Sequence, residues 1–309
     1  MIQKILKKIK YELQFSNPHY YTRVSDKLLK SRYQHSLRNK INLLKPIVLD
    51  GETSKLTVAI LANKKNFYES LAALYSFCFW ENRLQVHYHE DGTLNNDDIA
   101  LINHVFKGII VYKRAEQDLK VTNHLSAKGL NNCAELRQHF VFAIRLFDML
   151  IEKKTPYLLQ IDSDVLFFSK PLEVLEIVAQ GSLNGCYNQD VGNVYSFTPD
   201  VIAKYLDVPV LNNVNAGLFM HNFDEELFQF TEHIIKNEPE CTSSWHLEQS
   251  VFALYASLKG NFLALPKQYD LQRRERKLGN KLTSEHYCHS TGYDFHKDFI
   301  YKLYPQYTR

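Results

Sequence analysis

Hydrophobic positions along this chain follow two alternating rhythms. KLTVAILAN (residues 55–63) is a continuous apolar run of strand length, and FYESLAALYSFCFW (67–80) then reads as a helix. LQVHYHEDG (84–92) alternates like a strand and ends on a polar turn. DDIALINHVF (97–106) opens a helix on two acidic residues that suit its N-terminal dipole, and GIIVYK (108–113) is a further short strand. Strand alternating with helix predicts an α/β fold: a mostly parallel sheet with helices on both faces.

The second half continues the pattern. Leu136, Phe140, Ile144, Phe147 and Ile151 line one face of a helix predicted over Cys133–Glu152. Thr155-Pro156 then leads into the strand YLLQIDSDVLFF (157–168). Asp162 and Asp164 therefore fall at the C-terminal end of a central strand, where open α/β sheets place their ligands. Beyond it come a strand-like NGCYN (184–188), a hairpin-like NVNAGLFMHN (213–222) and the helix DEELFQFTEHII (224–235). A second helix begins near WHLEQSVFALYASL (245–258), and the tail from Pro266 to Arg309 reads as irregular. No internal repeat or low-complexity stretch interrupts it. The expected organisation is an extension over residues 1–50 and one domain over 51–309.

That extension has its own rhythm. Ile2, Ile5, Leu6, Ile9 and Leu13 recur at helical spacing, with Lys4, Lys7, Lys8 and Lys10 between them. Such a basic amphipathic helix suits either a foot on a membrane surface or packing against its own domain. Charge sharpens the contrast. The net +3 divides into +9 over residues 1–45 and −6 over the rest, so an anionic surface is an expected partner. No apolar run is long enough to span a bilayer, and MIQKILKKIK lacks the apolar centre of a secretory signal. A cytoplasmic location is expected, at the inner face of a membrane if the arm is a membrane foot and not packed on its own domain. Nucleic acid is not an expected partner, because the basic arm has little aromatic interleaving and the body is acidic.

Composition removes other classes. Neither G-x-x-x-x-G-K nor G-x-G-x-x-G occurs, which argues against P-loop and dinucleotide chemistry. Five scattered cysteines without a C-x-x-C pair read as reduced thiols, not as a disulfide or zinc framework.

The chemistry centres on D-S-D. Two carboxylates two positions apart can grip one hard divalent cation, which can then neutralise a diphosphate. Between YLLQI and VLFF, such charge is costly to bury without a compensating cation. In this context the segment resembles the D-x-D signature of GT-A-fold nucleotide-sugar glycosyltransferases. It is most similar to the glycogenin-like and lipopolysaccharide-galactosyltransferase-like families. The likeness runs from about Lys55 to Tyr304 through LANKKNFYESLAALYSF, HEDGTL, FAIRLFDML, NNVNAGLFMHN, HLEQSVF and HYCHSTGYDFHK, in that order.

The resemblance implies a set of roles. Ala62, Asn63 and Asp91 would line the nucleotide pocket, and Arg145 would sit near the carboxylates with Ser163 between them. Asn215 would touch the donor sugar. Asp162, Asp164 and a histidine would hold Mn²⁺ or Mg²⁺. His289 keeps the family's spacing to Gly292, whereas His286 keeps its neighbouring aromatic, so two histidines compete for that place. Lys297 stands where a phosphate-binding lysine is expected, with Arg273, Arg274 and Arg276 as rivals. Glu248 would deprotonate an acceptor hydroxyl in an inverting reaction, and Gln249 would stabilise the sugar in a retaining one; both also suit an ordinary helix start. His87 and His89, alternating on one strand face, read as packing or surface residues.

The expected activity is metal-dependent transfer of a sugar from a nucleotide donor, UDP-sugar by default, to a hydroxyl acceptor such as a glycan, with retention favoured. A sugar-phosphate nucleotidyltransferase and a non-catalytic nucleotide-sugar-binding protein are the alternatives. The first would need a glycine-rich loop where ILANKKNF has none.

Overall fold

The computed structural model describes residues 18–271, 281–288 and 293–308. Its strands, in chain order, are β1 (Ile47–Val48), β2 (Leu56–Ala62), β3 (Gln85–Glu90), β4 (Phe106–Lys107), β5 (Ile110–Tyr112) and β6 (Tyr157–Ile161). There follow β7 (Val165–Phe167), β8 (Gly185–Gln189), β9 (Val214–His221), β10 (Phe262–Ala264), β11 (Tyr269–Leu271) and β12 (Ser284–His286). Seven of them form one sheet in the order β10-β8-β9-β6-β2-β3-β5. Only β9 runs against its sheet neighbours, pairing antiparallel with both β6 and β8. The remaining pairs in the sheet are parallel.

The strands are the apolar runs of the sequence, covered on both faces as parallel sheets require. On one side Val58, Ile60, Leu159 and Ile161 pack with Leu71, Leu74 and Phe77. A second core gathers Phe147, Phe219 and Phe252. A smaller sheet, β11-β12-β7, stands beside the main one.

Three segments differ from expectation. The helix predicted over Cys133–Glu152 is broken: Asn131–His139 is helical, Phe140 is extended, and a π-turn over Ile144–Asp148 precedes Met149–Glu152. The cause is charge within the apolar stripe. Arg137 is buried and donates to both carboxylate oxygens of Asp148, at 2.6 and 2.8 Å. Along a straight helix those two residues would lie about 16 Å apart, so the break lets them meet.

The hairpin expected at 213–222 is instead one buried strand, β9, held on both edges. The tail, expected to be irregular, supplies β11 and β12, whose three-residue lengths leave no periodicity to read. The helix Arg114–Ala127 also escaped the pattern, since only Gln117, Val121 and Leu125 of it are buried.

The amphipathic stretch Ile2–Leu13 lies outside the described residues. The helix Pro18–Ile41 that follows it joins the body. Leu37 and Ile41 enter the main core, Tyr33 stacks on Tyr293 with centroids 5.1 Å apart, and the Lys40 ammonium sits 3.9 Å from the Tyr304 ring centroid. Among the described residues, no helix is long and apolar enough to cross a membrane. All five cysteines are free.

Candidate metal centre

β6 delivers Asp162 to the C-terminal edge of the sheet. There its N–H donates to the Gly217 carbonyl of β9 (2.8 Å), and Val165 N–H donates back to the Asp162 carbonyl (3.3 Å). The resulting turn leaves Asp162 and Asp164 about one-third exposed, 35% and 37% by side chain. The third group comes from the tail. β12 pairs antiparallel with β7, placing His286 opposite Val165, and Tyr287 N–H donates to the Asp164 carbonyl (2.9 Å). His286 Nε2 thereby lies 3.1 Å from Asp164 Oδ1 and 3.5 Å from Asp162 Oδ2. One ligand atom from each residue falls within 4.8 Å of the others.

Hydrogen bonds fix the imidazole. Asn215 Oδ1 accepts from Gly217 N–H (3.0 Å), and Asn215 Nδ2 donates to Asp190 Oδ2 (3.1 Å). Asn215 Oδ1 also lies 3.0 Å from His286 Nδ1, which must therefore be the donor. In the neutral ring, Nε2 then turns a lone pair towards two carboxylates. Three electron-rich atoms so placed need a cation or a proton between them. Burial works against protonation of His286, but Asp164 and then Asp162 outweigh it and hold its pKa above the ordinary value. Gly217 makes the crowding possible. A Cβ there would lie 2.2 Å from His286 Cε1 and 2.8 Å from Asp162 Oδ2. Two carboxylates and one imidazole suit Mn²⁺, or Mg²⁺ with more water, so these residues fit the expected ion.

Arg145 backs the site from the π-turn. Its buried guanidinium donates to Asp162 Oδ1 (2.6 Å), to Gln160 Oε1 (3.1 Å) and to the Ala216 carbonyl. Nε also lies 3.0 Å from Glu248 Oε1, at an angle that makes no hydrogen bond. Burial raises the Glu248 carboxyl to about 7, with Arg145 opposing the rise and Asp162 adding to it. Gln249 is spent on backbone. Its Oε1 accepts from Ala216 N–H and its Nε2 donates to the Val194 carbonyl, both at 3.1 Å.

The other expected residues distribute unevenly. Ser163 accepts a hydrogen bond from Asn66 Nδ2 (2.7 Å), which ties the D-S-D turn to the segment after β2. Asn63 caps the short turn Lys64–Asn66 through its side chain. Ala62 ends β2 and its carbonyl accepts from Asp91 N–H (3.2 Å); the Asp91 carboxylate accepts from Thr93. These residues line the β2–β3 side of the same edge.

The Lys297 ammonium lies 4.0 Å from Asp294 and over the Tyr293 ring. His289, Arg273, Arg274 and Arg276 lie outside the described residues. His87 and His89 are fully buried, so the packing reading of them holds and the surface reading does not. Sequence reading missed Asn66, Gln160, Asp190 and Gly217. Of these, Gln160 left a signal as a polar residue within an otherwise apolar strand, and Gly217 as the glycine of the N-A-G segment; Asn66 and Asp190 left none.

No family model and no curated protein sequence matches this chain. Solved structures do. A WbbM bifunctional glycosyltransferase superposes over 83% of this chain and 51% of its own, with TM-score 0.54 and 13% identity. The fold is GT-A. The glycosyltransferase GlyE of Streptococcus pneumoniae matches over 82% of this chain and 62% of its own (TM-score 0.53, 12% identity). The galactosyltransferase LgtC, solved with donor and acceptor sugar analogs, matches over 79% and 95% (TM-score 0.50, 11% identity). This chain thus spans about half of WbbM and nearly all of LgtC.

Proposed function

We propose that this chain is a metal-dependent glycosyltransferase that moves a sugar from a nucleoside diphosphate donor, UDP-linked by default, to a hydroxyl acceptor such as a glycan. The observation that carries the reading is the convergence of Asp162, Asp164 and His286 at the C-terminal edge of a GT-A sheet. These three would hold Mn²⁺ or Mg²⁺, which when bound offsets the charge growing on the leaving diphosphate. Around them, Arg145 fixes the Asp162 carboxylate, Asn215 sets the His286 tautomer, and Ser163 and Asn66 clamp the turn. Ala62, Asn63 and Asp91 bound the side where the nucleotide would lie.

In the reaction, the acceptor oxygen bonds to the anomeric carbon as the bond from that carbon to the diphosphate breaks. The bonding pair goes to the diphosphate, and the hydroxyl proton follows it. We favour retention of configuration. Glu248 is buried against Arg145, which argues against its use as a base on an incoming hydroxyl. The +9 arm over residues 1–45 supports peripheral contact with an anionic membrane surface on the cytoplasmic side.

The test is a panel of nucleotide sugars screened for Mn²⁺-dependent release of nucleoside diphosphate. Asp162→Asn and Asp164→Asn should each lower turnover at least 100-fold while preserving the far-UV circular dichroism spectrum. Full activity in both variants, or pyrophosphate release from a nucleoside triphosphate and a sugar phosphate, would reject the reading.

A further inference from the structure

On the β9 side of the metal centre a cavity of about 560 Å³ opens between the helices Asn131–His139 and Glu226–Asn237 and the turn before Leu247–Lys259. That size matches small-molecule pockets, which run to roughly 300–1,000 Å³. Its wall combines Phe140 and Trp245 with a polar rim of Glu135, His139, Thr242 and Ser243.

Trp245 is 72% exposed, an unusual place for the largest apolar side chain. It is nevertheless held: its ring meets Phe142 edge to face at 5.7 Å, and Phe142 meets Phe140 at 5.6 Å. The three rings make a braced shelf with an open indole face.

The shelf lies beside the reaction centre. Arg145 N–H donates to the Phe142 carbonyl (3.0 Å), and Trp245 precedes Glu248 by three residues, a chain reach of at most about 10 Å. Arg145 and Glu248 face each other over 3.0 Å and so join the two ends of the shelf to Asp162. Asn63 and Asp91 lie at the ends of β2 and β3, on the far side of Asp162 in the sheet order. The helix end of the cavity approaches Asp91 through Arg114, which donates to the carbonyls of Asp91 and Gln138 (3.3 Å each). The Trp245 end instead joins Asp162 through Glu248 and Arg145 and so lies towards the donor's sugar.

We propose that this shelf is the acceptor subsite and that its ligand is a neutral saccharide. The assignment rests on the glycosyltransferase reading above. A pyranose offers an apolar C–H face for the free indole and hydroxyls for the polar rim. The carboxylate of Glu135 disfavours an anionic ligand, and the polar rim disfavours an alkyl chain.

The experiment uses the full chain with Mn²⁺ and the donor found active in the screen. Methyl hexopyranosides, lactose, cellobiose and maltose serve as acceptor probes. Trp245→Ala should raise the saccharide KM at least tenfold while the donor KM moves less than threefold, and Trp245→Phe should recover most of the loss. Indole fluorescence of the donor-saturated wild type should be quenched by at least one probe. An equal rise in both KM values, an unchanged saccharide KM, or no quenching by any probe would overturn the assignment. Donor cleavage to water is scored separately. Absence of both cleavage to water and transfer to any hydroxyl in the wild type rejects the function itself, whereas transfer only to peptide or lipid hydroxyls rejects the saccharide alone.

Discussion

The imidazole of His286 shows how much a single tautomer can decide. Its Nδ1–H is committed to Asn215, whose own oxygen is pinned by the Gly217 N–H and whose nitrogen is held by Asp190. This chain of contacts leaves Nε2 as the third donor atom of the cluster. Asn215→Ala should weaken Mn²⁺ binding by about 10- to 100-fold, read by calorimetric titration, while His286 remains in place. An unchanged affinity would mean that β12 alone orients the ring. At this scale the two aspartates were legible, because paired charges stand out against an apolar strand. The histidine was legible only as one of two, since His286 and His289 differ by three positions in a tail with no periodic signal.

At the scale of elements, the site depends on one reversed strand. Because β9 runs antiparallel to β6, its early residues Asn215, Ala216 and Gly217 reach the edge where β6 ends, with Leu218 opposite Ile161. The close approach of β9, Asp162 and His286 leaves no room for a side chain at residue 217. Gly217→Ala should therefore cost roughly 1–3 kcal/mol in chemical denaturation and remove detectable Mn²⁺ binding, since either the strand or the imidazole must move. Normal metal affinity in a stable variant would show that the neighbours yield more easily than the geometry implies. The sequence carried N-A-G as a motif, but which strand it would face was not written in it. The broken helix carries the same lesson. The apolar stripe from Leu136 to Ile151 was real, yet Arg137 and Arg145 within it needed carboxylates that only the folded chain could supply.

For the whole molecule, acid sensitivity follows from buried imidazoles on β3. Burial lowers the His87 pKa from 6.5 to about 4, with Glu152 opposing and Lys154 assisting. Burial also holds His89 well below its ordinary value, with His87 and Arg137 adding to the effect. Both rings stay neutral in the fold, whereas the unfolded chain takes up protons below about pH 6.5. Their contribution to stability is thus complete above that pH and is lost as the pH falls towards 4. The unfolding free energy from urea titration should drop between pH 7 and pH 5 by about 2 kcal/mol for His87, and His87→Leu should flatten that part of the slope. A slope unaltered by the substitution would assign acid sensitivity to other groups.

By itself the sequence determined the α/β class, the positions of the main strands, and the placement of Asp162 and Asp164 at a strand end. Those features follow from local periodicity and from the cost of charge beside apolar residues, both of which are properties of neighbours along the chain. Tertiary structure alone decided that β9 is reversed and that β12 brings His286 to the carboxylates across more than a hundred residues. It also decided that Trp245 and Phe142 meet in one shelf. Each of these depends on contacts between distant segments, whose register no local pattern encodes.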